Sequence, residues 1–167
     1  LWWPVPMKTL LIYPYFLDRR LDVEDIQAPP MGIFYVAAAL KEHGHDVEVV
    51  NWHDRATPPE AFESALREKR PRIIGFSILH ANRWGGIEIA RMAKRIDPRV
   101  VVVFGGVGAT HLWEHLLQHF PEVDYIVLGE GERTFAALVE RLGESGSADP
   151  ASLPGVAGRR GDRPFRN

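Results

Sequence analysis

Two apolar runs lose their side chains at the point where they end, and a third ends on a hydroxyl. Residues 99–106, RVVVVFGG, finish on Gly105 and Gly106; residues 124–131, DYIVLGEG, finish on Gly129 and Gly131 around Glu130; residues 72–79, RIIGFSIL, carry Ser77 close to their end. Glycine removes the Cβ with which a bulky group would collide and lets the backbone leave a strand sharply. Ser77 adds one hydroxyl that can donate and accept. Such a set breaks no bonds of its own, and its chemistry is that of holding a wide, flat ligand against bare backbone.

Other groupings point to less. His111, His115 and His119 recur at a spacing that can hold a metal. On a helical wheel, however, they fall with Glu114 and Gln118 opposite Leu112, Leu116 and Leu117, so a solvated face is expected and no metal ligand is assigned. The acids of LDVEDI (21–26) have no second cluster to push their pKa values apart and read as a solvated loop. Nothing resembles a nucleophile elbow. The chain has no cysteine, which excludes disulfides, thiolate zinc sites, cysteine nucleophiles and an iron–sulfur cluster carried by this chain itself. Net charge is −2, from 20 basic and 22 acidic residues, so neither nucleic acid nor an anionic membrane is an expected partner. No apolar run reaches roughly 18 residues and no secretory start is recognisable, so the expected location is cytoplasmic.

The elements that must position the glycines follow from periodicity. KTLLIYPYF (8–16) reads as a strand ending near Tyr13, because Pro14 cannot donate to a ladder. MGIFYVAAALKEHG (31–44) reads as a helix with Ile33, Phe34, Ala37, Ala38 and Leu40 inward and Gly44 at its end. HDVEVVNW (45–52) is a strand, and residues 57–71 a helix with Thr57 as N-cap and Glu60 completing a capping box. Residues 72–79, 99–106 and 124–129 supply further strands. Between and after them lie helices with Ile89, Met92, Ala93 and Ile96 inward, with Leu112, Trp113, Leu116, Leu117 and Phe120 inward over about 110–120, and over ERTFAALVERLG (132–143). Continuous apolar strands alternating with amphipathic helices predict an α/β fold: a doubly wound, five-stranded parallel sheet in the order 2-1-3-4-5, Rossmann- or flavodoxin-like. Residues 1–6 read as an N-terminal extension, 7–145 as the domain, and 146–167, rich in Gly, Ser, Pro and Arg, as a linker.

In such a sheet the ligand lies beyond the carboxyl ends of the strands. Three common occupants fail there. A phosphorylated receiver needs acids after the first and third strands and a lysine after the fifth. A nicotinamide site needs its glycine fingerprint straight after the first strand, and a flavin needs a small hydroxyl- and glycine-bearing loop there, whereas this chain has YPYF (13–16).

The segments PPMGIFYVAAALKEHGHDVEVVN (29–51), PRIIGFSIL (71–79), VVVFGGVGAT (101–110) and DYIVLGEGERTFAALVERL (124–142), in that order, resemble the N-terminal cobalamin (B12)-binding domain of the B12-dependent radical S-adenosylmethionine enzymes. The resemblance implies that the nucleotide tail of cobalamin threads into the sheet. Ser77 with Leu79 and Gly105 with Gly106 and Val107 would lie beside the tail, while Gly129, Glu130 and Gly131 would line its far side. The histidine that other B12 domains offer to cobalt after the first strand has no counterpart in residues 14–30, and the histidine often found two places beyond the glycine pair is Gly108 here.

The resemblance further implies a partner: a radical S-adenosylmethionine catalytic domain, in cis or trans, carrying S-adenosylmethionine and a [4Fe–4S] cluster. This chain would hold the cofactor for methyl transfer while being non-catalytic alone, whether as a fragment or a stand-alone carrier. The competing expectation is a protein-interaction module of the same fold that has lost its cofactor.

Overall fold

The computed structural model describes residues 7–16, 31–53, 57–144 and 149–167. The N-terminal extension at 1–6 and the acids of 21–26 lie outside the described residues. Along the chain the elements are β1 (Thr9–Pro14), α1 (Met31–Glu42), β2 (Val47–Trp52), α2 (Pro59–Lys69), β3 (Ile73–Ser77), α3 (Arg83–Ile96), β4 (Val101–Gly105), α4 (Val107–His119), β5 (Tyr125–Val127), α5 (Glu132–Gly143), a 3₁₀ turn (Pro150–Ser152), β6 (Val156–Arg160) and β7 (Arg163–Arg166).

β1 to β5 form a parallel sheet in the expected order 2-1-3-4-5. The sheet nevertheless has seven strands, because β6 and β7 extend it antiparallel beyond β5. Both added strands come from the stretch that composition marked as linker. Val156 and Ala157 are fully buried, and Gly161, at φ 59°, starts the two-residue turn that pairs Arg160 with Arg163. The Arg159 guanidinium donates to the carbonyls of Leu117, Phe120 and Val123 at 2.8, 2.8 and 2.7 Å. The first two belong to the end of α4, where helix carbonyls otherwise lack partners. One side chain thus fastens the hairpin to the domain, a role that a Gly- and Arg-rich composition does not reveal.

Strand alternation divides the core into two. Leu10, Ile12, Ile74, Phe76, Val102 and Phe104 face α2, α3 and α4, whereas Leu11, Tyr13, Ile73, Val103 and Val127 face α1 and α5. α1 buries Ile33, Ala37 and Leu40 as expected, but Phe34 and Ala38 are exposed. α4 begins directly after Gly106, three residues earlier than its apolar pattern indicates. The N-cap of α2 is Pro58, with no side-chain cap bond, so the predicted Thr57 capping box does not form. In the first turn of α3, Gly85 has no room for a side chain, because a Cβ there would stand 2.1 Å from the Tyr15 carbonyl oxygen.

His45, in the α1–β2 turn, is 6% exposed, and neither ring nitrogen has a hydrogen-bond partner among the described residues. Burial pushes its pKa below the usual value; Glu140 opposes this and His43 adds to it. The unfolded chain therefore binds a proton near pH 6.5 that the folded chain still refuses. Stability is expected to fall as pH drops below about 6.5 and to level off once the folded-state pKa is passed. Melting temperatures between pH 7.5 and 5 should show this slope, and His45→Leu should flatten it.

Candidate ligand-binding site

The carboxyl end of the sheet holds a cavity of about 320 Å³. All eight candidate residues, Ser77, Leu79, Gly105, Gly106, Val107, Gly129, Glu130 and Gly131, line it. Register explains the convergence. Ser77 pairs with Gly105 across β3 and β4, and Gly75 pairs with Val103 one alternation earlier, so these positions share the sheet face toward α1 and α5. The remaining walls are apolar: Leu11, Ile33, Val36, Val103, Val127 and Phe135.

The glycines serve two purposes that spacing alone does not separate. A Cβ on Gly105 would meet nothing nearer than the Phe76 and Val127 carbonyl oxygens at 3.9 Å, so a side chain there would enter free space. At Gly106, φ is 91° and a Cβ would lie 2.8 Å from the Ile78 oxygen, so this glycine serves the backbone turn. Bare backbone with apolar walls fits a flat, largely apolar group entering from the carboxyl edge.

Two residues that the sequence did not single out hold the rim together. Asn82 is fully buried; its Oδ1 accepts from the Leu79 amide at 2.7 Å and its Nδ2 donates to the Ser77 carbonyl at 3.1 Å, fixing the turn that carries both candidates. Thr110 Oγ1 donates to the Gly106 carbonyl at 3.0 Å and accepts from the Gly129 amide at 3.0 Å, joining the loops after β4 and β5. The Thr110–Gly129 bond depends on two loops meeting in space, whereas Asn82 reaches back to Leu79 and Ser77 within its own loop. Gly75 was also missed, although a glycine inside a strand is a signal of close approach; its Cβ would lie 2.7 Å from Leu11 Cδ2. Removing the Thr110 hydroxyl costs roughly 1 kcal/mol of stability. Thr110→Val should therefore melt a few degrees lower than the parent chain, and Thr110→Ser should restore the value.

Other groups lie apart from the cavity. His111, His115 and His119 are exposed along α4, and among the described residues no cluster of three or more His, Asp or Glu is placed to hold a metal ion. A groove of about 600 Å³, lined by Arg67, Arg70, Arg72 and Arg99 among others, flanks the amino ends of β3 and β4 and includes no candidate residue. Among the described residues, no helix is long and apolar enough to cross a membrane.

Fold and site together define a doubly wound α/β domain with an apolar cavity at the carboxyl edge of its sheet. A family model described as "B12 binding domain" matches residues 25–139, and the chain belongs to that family. An uncharacterized methyltransferase of Pyrococcus horikoshii is 30% identical over 136 residues, covering 81% of this chain and 29% of the relative. The hopanoid C-3 methylase of Methylococcus capsulatus is 31% identical over 144 residues, covering 83% and 27%. Among solved structures, the cobalamin-dependent S-adenosylmethionine radical enzyme OxsB, with aqua-cobalamin and S-adenosylmethionine bound, superposes with a TM-score of 0.75 at 17% identity, covering 96% of this chain and 22% of that one. The chain thus spans less than a third of the length of these relatives.

Proposed function

We propose that the chain binds cobalamin with the nucleotide tail in the cavity between the sheet and helices α1 and α5. The corrin ring would stay at the carboxyl edge, facing a radical S-adenosylmethionine catalytic domain that performs methyl transfer in the cytoplasm. One observation carries this proposal: the eight residues expected to hold the cofactor border a single open cavity. When bound, cobalamin supplies a cobalt centre able to carry a methyl group. The chain's own residues bind and orient. Gly105 leaves room for the tail, Gly106 and Thr110 fix the loops, Ser77 offers a hydroxyl, and the apolar walls exclude water.

Exposed apolar side chains in the first turns of α1 and α4, of which Val107 borders the cavity, support a partner on that edge. Met31 and Val107 are 63% and 58% exposed, and with Phe34 and Tyr35 they leave large apolar surface at the starts of α1 and α4. Apolar surface of this kind marks a place that something covers.

Purified chain mixed with hydroxocobalamin and freed of excess ligand is expected to retain corrinoid at one per chain, read from the visible spectrum. A chain that elutes colourless would overturn the proposal and favour the cofactor-less interaction module.

A further inference from the structure

Among the described residues, several polar atoms at the rim of the cavity are already paired with each other. The Gly105 carbonyl accepts from the Ile78 amide at 2.8 Å. The Gly106 carbonyl accepts from both the amide and the hydroxyl of Thr110, and the Gly129 amide is held by the same hydroxyl. The Gly131 carbonyl accepts from the Phe135 amide at 2.7 Å, and the Ser77 carbonyl is held by Asn82. The polar side chains on the wall are Ser77, Glu130 and Glu132, and Glu130 is exposed to solvent. Ser77 is thus the one side chain on the wall that offers a hydrogen-bond donor to an inserted group; Glu130 and Glu132 offer acceptors, and the remaining side chains of the wall are hydrocarbon.

From this pairing we infer that the site selects among cobalamin-type cofactors by the polarity of the base at the end of the tail, accepting an alkylated benzimidazole and rejecting a purine. The inference rests on the proposal that the tail occupies this cavity. A dimethylbenzimidazole presents two methyl groups and a single free ring nitrogen, within the capacity of one hydroxyl. Adenine presents an exocyclic amine and several ring nitrogens, which give up water on entry; the ring nitrogens need donors, and the side chains of the wall supply one, the Ser77 hydroxyl. A buried polar group left unpaired costs more than a hydrogen bond gained returns. Sites built this way discriminate through what they fail to satisfy.

The test is calorimetric titration of the 167-residue chain with cobalamin, with the adenine-containing cobamide and with cobinamide, which lacks the nucleotide tail. Cobalamin is expected to bind roughly 10- to 100-fold more tightly than the adenine form, the penalty of one or two unpaired groups. Equal affinities for cobalamin and the adenine cobamide would overturn the selectivity while leaving cobalamin binding intact. Cobinamide binding as tightly as cobalamin would show that the tail contributes nothing and overturn it too. Failure of all three to bind would instead sink the proposed function. Leu79→Gln places an amide on the wall and is expected to narrow the ratio between the two bases; an unchanged ratio would show that polarity is not its cause.

Discussion

Replacing Gly105 with leucine is expected to abolish retention of cobalamin while leaving the far-ultraviolet circular dichroism and the melting temperature of the chain unchanged. Gly105 ends β4 opposite Ser77, and the space its missing side chain leaves is part of the cavity itself. Nothing within 3.9 Å opposes a Cβ there, and the residue is not in the positive-φ region, so the fold tolerates the substitution. The four added carbons then stand where the ligand must lie. Overpacking of this kind costs on the order of 3 kcal/mol, which is an affinity loss of about 100-fold or more. Stoichiometric corrinoid on the purified Gly105→Leu chain would place the tail somewhere else.

Three residues further on, glycine is required for the opposite reason. Gly108 is buried in the first turn of α4, and its amide donates to the Ile78 carbonyl at 2.9 Å. A Cβ at this position would lie 2.6 Å from the Leu79 carbonyl carbon and 2.8 Å from the His80 nitrogen, both backbone atoms that cannot swing aside. Gly108→Ala should therefore destabilise the chain by roughly 2–3 kcal/mol and lower its melting temperature by about 5–10 °C. Gly108→His, which installs the residue often found at this place in the radical-enzyme branch, should do at least as much damage. A melting temperature unchanged by Gly108→Ala would mean that the loop after β3 sits further from α4. The absence of a histidine here thus has a packing cause: α4 runs too close under the Ser77–Leu79 turn to carry any side chain at that point.

The contrast between Gly105 and Gly108 shows how far the sequence could be read. VVVFGGVGAT announced a tight departure from the sheet, yet three glycines in ten residues look alike until each is given its neighbours. The parallel strand order was legible because five apolar runs alternate with amphipathic segments, and buried parallel strands must be apolar on both faces. The hairpin β6–β7 was hidden because its hold on the domain comes from contacts distant in sequence: β6 pairs with β5, Val156 and Ala157 enter the core, and Arg159 reaches three carbonyls of the α4–β5 region. Phe34 was misplaced because its spacing fits the inner face of α1, whereas it lies outside among Met31 and Tyr35.

What the sequence determined by itself was local: where side chains alternate, where they vanish, and which chemistries lack their residues. These follow from each residue's own backbone preferences and hydrophobicity, which act over a few positions. Only the tertiary structure decided that Ser77 stands opposite Gly105, that Thr110 bridges two loops, and that the space among them is left open. Register and loop closure join residues distant in the chain, and their outcome depends on the packing of every element at once.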